Sequence, residues 1–561
     1  MASSEAKEGR SEARTPIHAP LRVPLFRRLW LASLMSNFGL MILGVGAAWA
    51  MTQLTTAADM IALVQSAIML PVMMFAILAG AIADMYDRRR VGLVAVSISL
   101  LGSVALSLLT AAGMLGPWTL LGLCMLIGSG TALLWPAWAA AVNEQVPAEV
   151  LPQAIALNSI SFNIARSIGP ALGGLIVAAA GTVASFASNV LLYIPLLIVM
   201  LMWQRKPEVS RLPPERLYRA VSSGVRYVFH SPPIRIILIR TFSIALAGGS
   251  IFALMPLVVR DLLKGEALVY GIALGAFGIG AVTSALNIGL IRDRFDHDRV
   301  LAVAALLMAA MIAVVSVSTH FLVTLVALAL IGGGWMASMT LFNIAIQISV
   351  PRWVGGRTLA TFQTATAAGV AIGSWGWGHA TDSYGVTAAL LISAAMMTVT
   401  ALLGRWLPMP RMDGGDHEPV GLETPHFALA LTGRSGPIVV EVEYRVDQAD
   451  ARTFYGVMQQ VHQTRHRNGA YDWSISRDIA DPELWTERYH CPTWHDYLRL
   501  RDRYTAEDIA LQERAYALHQ GPEPAQIRRM LERPFGSVRW REDAPDRGVE
   551  LLSNVNPLGG G

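Results

Sequence analysis

Long apolar runs separated by short charged clusters fill residues 21 to 408 of this 561-residue chain. Residues 91–143 and 300–351 contain no Asp, Glu, Lys or Arg. Each run is too long for one membrane-spanning helix of about 20 residues, but it suits two helices joined by a tight turn. The pattern predicts twelve spans, near residues 29–51, 60–83, 91–112, 117–141, 153–180, 183–204, 236–259, 268–291, 300–318, 320–346, 358–381 and 384–407.

Composition agrees with this pattern. Hydrophobic residues make up 53% of the chain and charged residues 15%, whereas soluble domains are about a quarter charged. The formal net charge of +4 indicates no nucleic-acid partner, because the basic residues cluster at predicted helix ends. Cys124 and Cys491 are too isolated for a disulfide framework or a zinc site. We therefore expect an all-α polytopic membrane protein with no metal.

The short loops predict the orientation of the helices. Arg88 to Arg90, the polar central loop at 205–235 and most other basic loop residues fall on one side, and Arg260 and Lys264 fall on the other. Since Lys and Arg are enriched in cytoplasmic loops, both termini are expected to be cytoplasmic. Residues 1–20 are polar and rich in turn formers, and we expect them to be disordered.

Two charged loops are internally repeated. GAIADMYDRRR (80–90) and GLIRDRFDHDR (289–299) share Gly, Asp, Asp and Arg 209 positions apart. VPAEVLPQAIA (146–156) resembles VPRWVGGRTLA (350–360) at an offset of 204. The repeats divide the membrane region into six-helix halves at 21–204 and 236–407. Two repeated halves that enclose a site near the membrane midplane form a transporter plan.

The first charged loop resembles the G-x-x-x-D-(R/K)-x-G-R-(R/K) element of the major facilitator superfamily, with Met85 and Asp87 as departures. NSISFNIARSIGPALGG (158–174) resembles the branch that contains bacterial enterobactin exporters and transmembrane secretion effectors. The resemblance covers residues 21–408. It implies a bacterial inner-membrane antiporter that exports a drug, siderophore or secondary metabolite by alternating access, with the proton as coupling ion.

The resemblance also implies that the charged loops latch the two halves together on the cytoplasmic side. The alternative is that the arginines only enforce topology. Asp84 lies beside arginines at a helix end, where it could pair with them or with backbone amides. The predicted latch residues are Gly80, Asp84, Arg88, Arg89, Gly289, Asp293 and Arg294.

Arg166 is the candidate substrate-binding residue. It lies thirteen positions beyond Gln153, about 20 Å along a helix, which is too deep for easy snorkelling. No Asp or Glu lies within the predicted spans, so the guanidinium either contacts an anionic or phenolic substrate or bonds to helix carbonyls and polar neighbours. The predicted substrate-cavity residues are Arg166, Asn37, Asn163, Gln363 and Trp335.

Four small or kinking residues follow Arg166 on the same span. Small faces let helices approach closely, and a proline kink suits a gate or a tight seal. The predicted helix-packing residues are Gly169, Pro170, Gly173 and Gly174. Proton coupling is implied by the resemblance alone, because the candidate carboxylates, Asp59, Asp84, Glu144 and Asp382, all lie near helix ends.

Residues 408–436 are a Pro- and Gly-rich linker, and a small α+β domain is expected at 437–535 before a disordered tail at 536–561. The pattern predicts strands at 437–446, 471–478 and 484–491 and helices at 450–467 and 494–518. This order resembles the dimeric α+β barrel of antibiotic-biosynthesis-monooxygenase-like domains, which implies a cytoplasmic, ferredoxin-like module that pairs into a homodimer.

The histidines of this domain have metal-ligand spacing too loose to predict a metal site, so we predict no catalytic residue and no cofactor. Three alternatives stay open at this point. They are a solute:proton importer on the same fold, a membrane-anchored monooxygenase-like protein and a receptor without transport.

Overall fold

The computed structural model describes residues 16, 18–147, 150–204, 224–351, 354–410, 429 and 431–532. It has two compact units. The first contains most of the apolar helices, and the second combines residues 224–235, 345–351 and 354–358 with the C-terminal domain.

Ten helices of the described chain are long and apolar enough to cross a membrane, so the protein is a multi-pass membrane protein. A short 3-10 helix, Ala19–Arg22, precedes the first of them. The helices of the first half are α1 (Pro24–Leu54), α2 (Ala58–Met85), α3 (Arg88–Ala111), α4 (Pro117–Ala141) and α5 (Leu151–Met202). The second half consists of α6 (Pro232–Leu257), α7 (Ala267–Arg294), α8 (His297–Val317), α9 (Phe321–Ile348) and α10 (Gly355–Leu403).

Two of these helices are each two spans. At 52 and 49 residues, α5 and α10 are far longer than a bilayer requires. The backbone is non-helical at Gly181 (φ 77°) in α5 and at Gly385 (φ 83°) in α10, a conformation that glycine adopts without steric cost. The two glycines are 204 positions apart, the offset of the second repeat. The prediction of twelve spans in two halves is confirmed.

The same kind of polar contact joins the first and sixth spans in each half. Ser185 Oγ donates to the carbonyl oxygen of Ile42 at 2.9 Å, and Ser393 Oγ donates to that of Ala247 at 2.9 Å. Both serines are fully buried. Interhelical hydrogen bonds of this kind stabilise helix packing in a membrane, where the lipid and the neighbouring helices are both apolar.

The C-terminal domain contains a four-stranded antiparallel sheet in the order β2-β3-β1-β4. Its strands are β1 (Ile438–Arg445), β2 (Tyr471–Arg477), β3 (Leu484–Cys491) and β4 (Gln526–Leu531). Three helices pack with it: α11 (Ala451–Asn468), α12 (Trp494–Asp502) and α13 (Ala506–Ala517). Aromatic side chains dominate the core between sheet and helices, among them the fully buried Tyr444, Phe454 and Tyr497.

The prediction of a single helix at 494–518 was wrong. Thr505 begins a new helix, because its hydroxyl accepts from the backbone N–H of Asp508 while the Asp508 carboxylate accepts from that of Thr505. This capping box satisfies two donors at the helix start, so α12 and α13 are separate. The strand β4 was not predicted.

Candidate transport site

The first charged loop is held by contacts within the first half of the protein. Asp87 caps α3 by accepting from the N–H groups of Arg89 and Arg90. Arg88 pairs with Glu144 at 2.9 Å, and Arg89 Nε donates to the carbonyl oxygen of Met200 at 2.9 Å. These contacts tie the start of α3 to the ends of α4 and α5.

Contact of this loop with the second half involves Gly80. A Cβ at Gly80 would lie 3.7 Å from Cβ of Ala360 on α10, so the end of α2 touches the start of α10. The side chains of Asp84 and Asp293, the two aspartates of the predicted latch, lie outside the described residues. Their latch role stays a prediction.

The second copy of the loop is more open. Arg294 is exposed, and a Cβ at Gly289 would meet nothing within 4 Å. Asp296 caps α8 by accepting from the N–H of Arg299 at 3.4 Å, as Asp87 caps α3.

An ion pair that the sequence analysis did not identify holds this region together. Arg240 of α6, 3% exposed, pairs with Asp298 of α8 and also donates to the carbonyl oxygen of Leu407 at 3.2 Å. The other oxygen of Asp298 accepts from the backbone N–H of Met409 at 2.9 Å. The sequence did contain a signal for this pair, because Arg240 is a basic residue inside an otherwise apolar predicted span.

Asp382 joins the two halves at the end of the bundle opposite the charged loops, the end that the predicted orientation places outside. Its carboxylate accepts from the N–H groups of Ala58 at 2.8 Å and Asp59 at 2.9 Å, the first residues of α2. A carboxylate is favoured there by the unpaired donors and the positive end of the helix dipole. Close by, a Cβ at Gly378 would lie 2.8 Å from Cβ of Ala62. We call these four residues together with Asp382 the outer seal.

The second contact between the halves is the seam between α5 and α7. A Cβ at Gly174 would lie 2.8 Å from Cα of Gly271, and one at Gly271 would lie 2.6 Å from the carbonyl oxygen of Pro170. Deeper in the bundle, Ser167 Oγ donates to the carbonyl oxygen of Gly278 at 3.0 Å. Glycine is needed where Gly174 meets Gly271 because the two backbones touch there.

The remaining small residues of the predicted packing face lie against α1. A Cβ at Gly169 would lie 2.6 Å from Cβ of Met41, and one at Gly173 would lie 3.0 Å from Cα of Ile42. The face therefore serves two neighbours. Gly169 and Gly173 contact α1 of the same half, while Pro170 and Gly174 contact α7 of the other half.

Arg166 lies at the middle of the first span of α5, one position before the seam residue Ser167. Its guanidinium carbon is 5.7 Å from the centre of the Phe277 ring on α7. Phe277 in turn packs edge-on against Phe252, and Phe252 packs edge-on against Trp335, with both pairs of centroids 5.2 Å apart. Among the described residues the guanidinium of Arg166 has no hydrogen bond and no ion pair.

Three of the other four predicted cavity residues have contacts in the structure. Asn163 donates to the carbonyl oxygen of Ser159 at 2.9 Å, and Asn37 donates to Ser161 Oγ at 3.4 Å. Trp335 is 5% exposed and packs closely on Gly248. Gln363 is half-buried. The structure brings Arg166 to Phe277, an aromatic ring that the sequence analysis did not single out. The cavity role of the other four residues stays a prediction.

These features are those of a secondary transporter of the major facilitator type: two six-span halves, a seam between them and an arginine at the middle of a span. The chain belongs to the transmembrane secretion effector family, whose sequence profile matches residues 15–535. Membership of this family places it among transporters and not among enzymes.

Several curated relatives and solved structures are similar to the chain. The multidrug efflux pump Tap of Mycobacterium tuberculosis is 26% identical over 70% of this chain and 94% of its own length. The enterobactin exporter EntS of Salmonella typhi is 25% identical over 63% of this chain and 84% of its own. The nucleoside transporter NupG superposes with a TM-score of 0.58 at 12% identity, covering 68% of this chain and 100% of NupG. A D-xylose–proton symporter superposes with a TM-score of 0.55 at 13% identity, over 69% and 98%.

Proposed function

We propose that the protein exports a small organic molecule across a bacterial inner membrane by alternating access, with both termini in the cytoplasm. The pump and the exporter to which it is similar support the direction of transport. The basic residues of the cytoplasmic loops support the orientation. Drugs, siderophores and secondary metabolites are the expected substrate range.

The observation that carries this proposal is the position of Arg166 against Phe277. A charged residue at the centre of a span is costly and marks a substrate or ion pathway unless a partner neutralises it. Here its described neighbour is an aromatic face, which attracts the cation but leaves the donors of the guanidinium available. An anionic or phenolic substrate would bond to those donors while its ring stacks near Phe277.

Alternating access requires contacts that break when the outer side opens. The outer seal and the glycine contacts of the α5–α7 seam are such contacts, since both join one half to the other near the outer face. We propose that their separation exposes Arg166 to the outside. Closure at the cytoplasmic side would then involve Gly80 against α10 and the loop of Asp84.

We also propose that protons are the counter-ion and that the C-terminal domain mediates a homodimer. Proton antiport follows from the resemblance to antiporters of the superfamily. Two of the four candidate carboxylates are engaged in the described chain: Glu144 with Arg88, and Asp382 with the start of α2. Proton transfer would therefore be linked to breaking one of these contacts.

The test is efflux from cells loaded with catecholate, phenolic and cationic compounds, with and without a proton gradient. We expect the wild type to export anionic or phenolic compounds, and Arg166→Ala to slow this at least about tenfold because a charge-assisted hydrogen bond is lost. Arg166→Lys should restore part of the rate. Arg235→Ala, which removes an exposed arginine on α6, is the matched control.

Two outcomes would contradict the proposal. Substrate accumulation instead of depletion at confirmed expression would indicate import. Equal efflux by wild type and Arg166→Ala would show that the arginine has a packing role. Efflux that persists after the proton gradient is collapsed would exclude proton coupling while leaving export intact.

A further inference from the structure

The C-terminal domain contains a cavity of about 340 Å³ that has no part in the transport site. It lies between the helix-facing side of the sheet, at its β4 edge, and the helices α12 and α13. Its volume is at the lower end of the range for small-molecule sites. Aromatic and basic side chains dominate the lining: Arg465, Tyr489, Tyr497, Tyr504, Tyr516 and Arg529.

The floor of the cavity is a rigid polar network. Arg465 is 3% exposed and pairs with the fully buried Glu487, with Nε to Oε1 at 3.0 Å. Its guanidinium lies 4.7 Å from the centre of the Tyr489 ring, and it donates to the hydroxyl of Tyr504. Because Glu487 balances the charge of Arg465, the floor presents aromatic faces and phenol groups and carries no net charge.

The rim of the cavity differs in charge from the floor. Arg529 lies on β4 opposite Val440, so its side chain is on the helix-facing side of the sheet, where Nε donates to Tyr497 OH at 2.7 Å. Arg501 of α12 also lines the rim, and Glu513 is the acidic residue there. Among the described residues Arg529 makes no ion pair, so its positive charge is not balanced where the cavity opens.

We propose that this cavity binds a small aromatic anion, a compound of one or two rings with a carboxylate or phenolate group. The rings would stack among the tyrosines, where offset aromatic packing adds to the burial of apolar surface. The anionic group would pair with Arg529 at the rim, since Arg presents a fork of donors that matches a carboxylate. The site is separate from Arg166 and does not depend on the transport function.

The test is calorimetric titration of the full-length protein with 2-naphthoate and with its uncharged analogue 2-naphthamide. The titration uses the Arg166→Ala variant of the full-length protein, so that the arginine in the membrane region cannot act as a second anion site. We expect saturable binding of one naphthoate per chain and weaker binding of the amide. Arg529→Gln should lower the affinity for naphthoate about tenfold and abolish the preference for the charged ligand.

The neighbouring residue provides a matched control. Arg528 lies on the same strand but on the opposite side of the sheet, where it pairs with Glu443 at 3.1 Å. Arg528→Gln should leave both affinities unchanged. Ile527→Trp, which fills the cavity, should block both ligands, whereas Met530→Trp on the opposite side should block neither.

Three results would overturn the proposal: no saturable binding, equal affinity for acid and amide, or an equal loss in the Arg528→Gln control. The last of these would indicate that the ligand responds only to the total charge of the domain.

Discussion

At the scale of single residues, Asp382 makes a prediction about the closed outer side. Replacing its carboxylate by alanine removes the acceptor for two N–H groups at the start of α2, a cap worth about 1 kcal/mol. The outer seal is closed in this conformation. Asp382→Ala should therefore raise the ratio of outward-open to outward-closed molecules about fivefold. The rate at which a membrane-impermeant thiol reagent labels a cysteine introduced at Ser167 measures how often the outer side is open.

The control for this experiment is Asp261→Ala, which removes an aspartate that pairs with its neighbour Arg260 and lies outside the seal. Cys124 and Cys491 are both buried and give a low background. Unchanged labelling of Asp382→Ala would show that other contacts alone hold the outer side closed.

Single residues also show what the sequence could reveal about the site. Arg166 was identifiable because depth along one helix follows from residue count, and a charge at that depth is costly. Phe277 was not identifiable, because its contact with Arg166 depends on how α5 packs on α7, more than a hundred positions away. Asp382 was recognised as a helix-end charge, but its partner on α2 follows only from the packing of the halves.

At the scale of elements, the membrane spans followed directly from hydropathy, because an apolar bilayer imposes one length and one kind of helix. The C-terminal domain was harder. Its first three strands and α11 were predicted from their periodicity, but α12 and α13 were merged although the capping residues Thr505 and Asp508 are visible in the sequence. The strand β4 was missed because QIRRML has no clear alternation of polar and apolar residues.

The helix α11 makes a prediction about pH. His462 and His466 are neighbours on it, with His230 stacked on His466 and Trp473 stacked on His462. Burial, and then the charge of neighbouring histidines, lowers the pKa of both His462 and His466. The unfolded chain therefore binds more protons than the folded one, so stability is complete above the ordinary histidine pKa of about 6.5 and falls as the pH drops through the lowered values.

We expect this domain to unfold at a lower temperature at acidic pH than at neutral pH. Limited proteolysis of the full-length protein at increasing temperature monitors this unfolding. The effect should be small because both rings are only half-buried, so solvent still screens their charges. His466→Gln should flatten the pH dependence, whereas His320→Gln, at an exposed outer turn, should not. An unchanged slope in His466→Gln would assign the pH response to other groups.

At the scale of the whole molecule, the two halves repeat in fold but not in chemistry. In the first half a basic residue at the start of α3, Arg89, donates to the carbonyl oxygen of Met200 near the end of α5. In the second half the corresponding position is Asp298, which accepts from Met409 and pairs with Arg240. The same junction is thus held by side chains of opposite charge in the two halves.

The proposed homodimer makes the last prediction. The sheet face that points away from the helices carries Glu441 and Glu443 beside Arg488 and Arg528, with ion-pair distances of 3.8 and 3.1 Å. A two-fold dimer through this face brings two identical charged surfaces together. Such a dimer must rely on ion pairs between the glutamates of one chain and the arginines of the other. Since salt at about 1 M shortens the Debye length to about 3 Å, the dimer should dissociate with rising salt.

Native mass spectrometry of the full-length protein and charge-reversed variants tests this interface. Arg528→Glu and Glu443→Arg should each be monomeric alone, because each places like charges across the two-fold axis. An equal mixture of the two should form the mixed dimer, since opposite charges then meet. Arg514→Glu, on the exposed side of α13, should dimerise as the wild type does. A dimer that persists at high salt and in the charge-reversed variants must be formed by another surface, because ion pairs across this sheet face would be lost under both conditions.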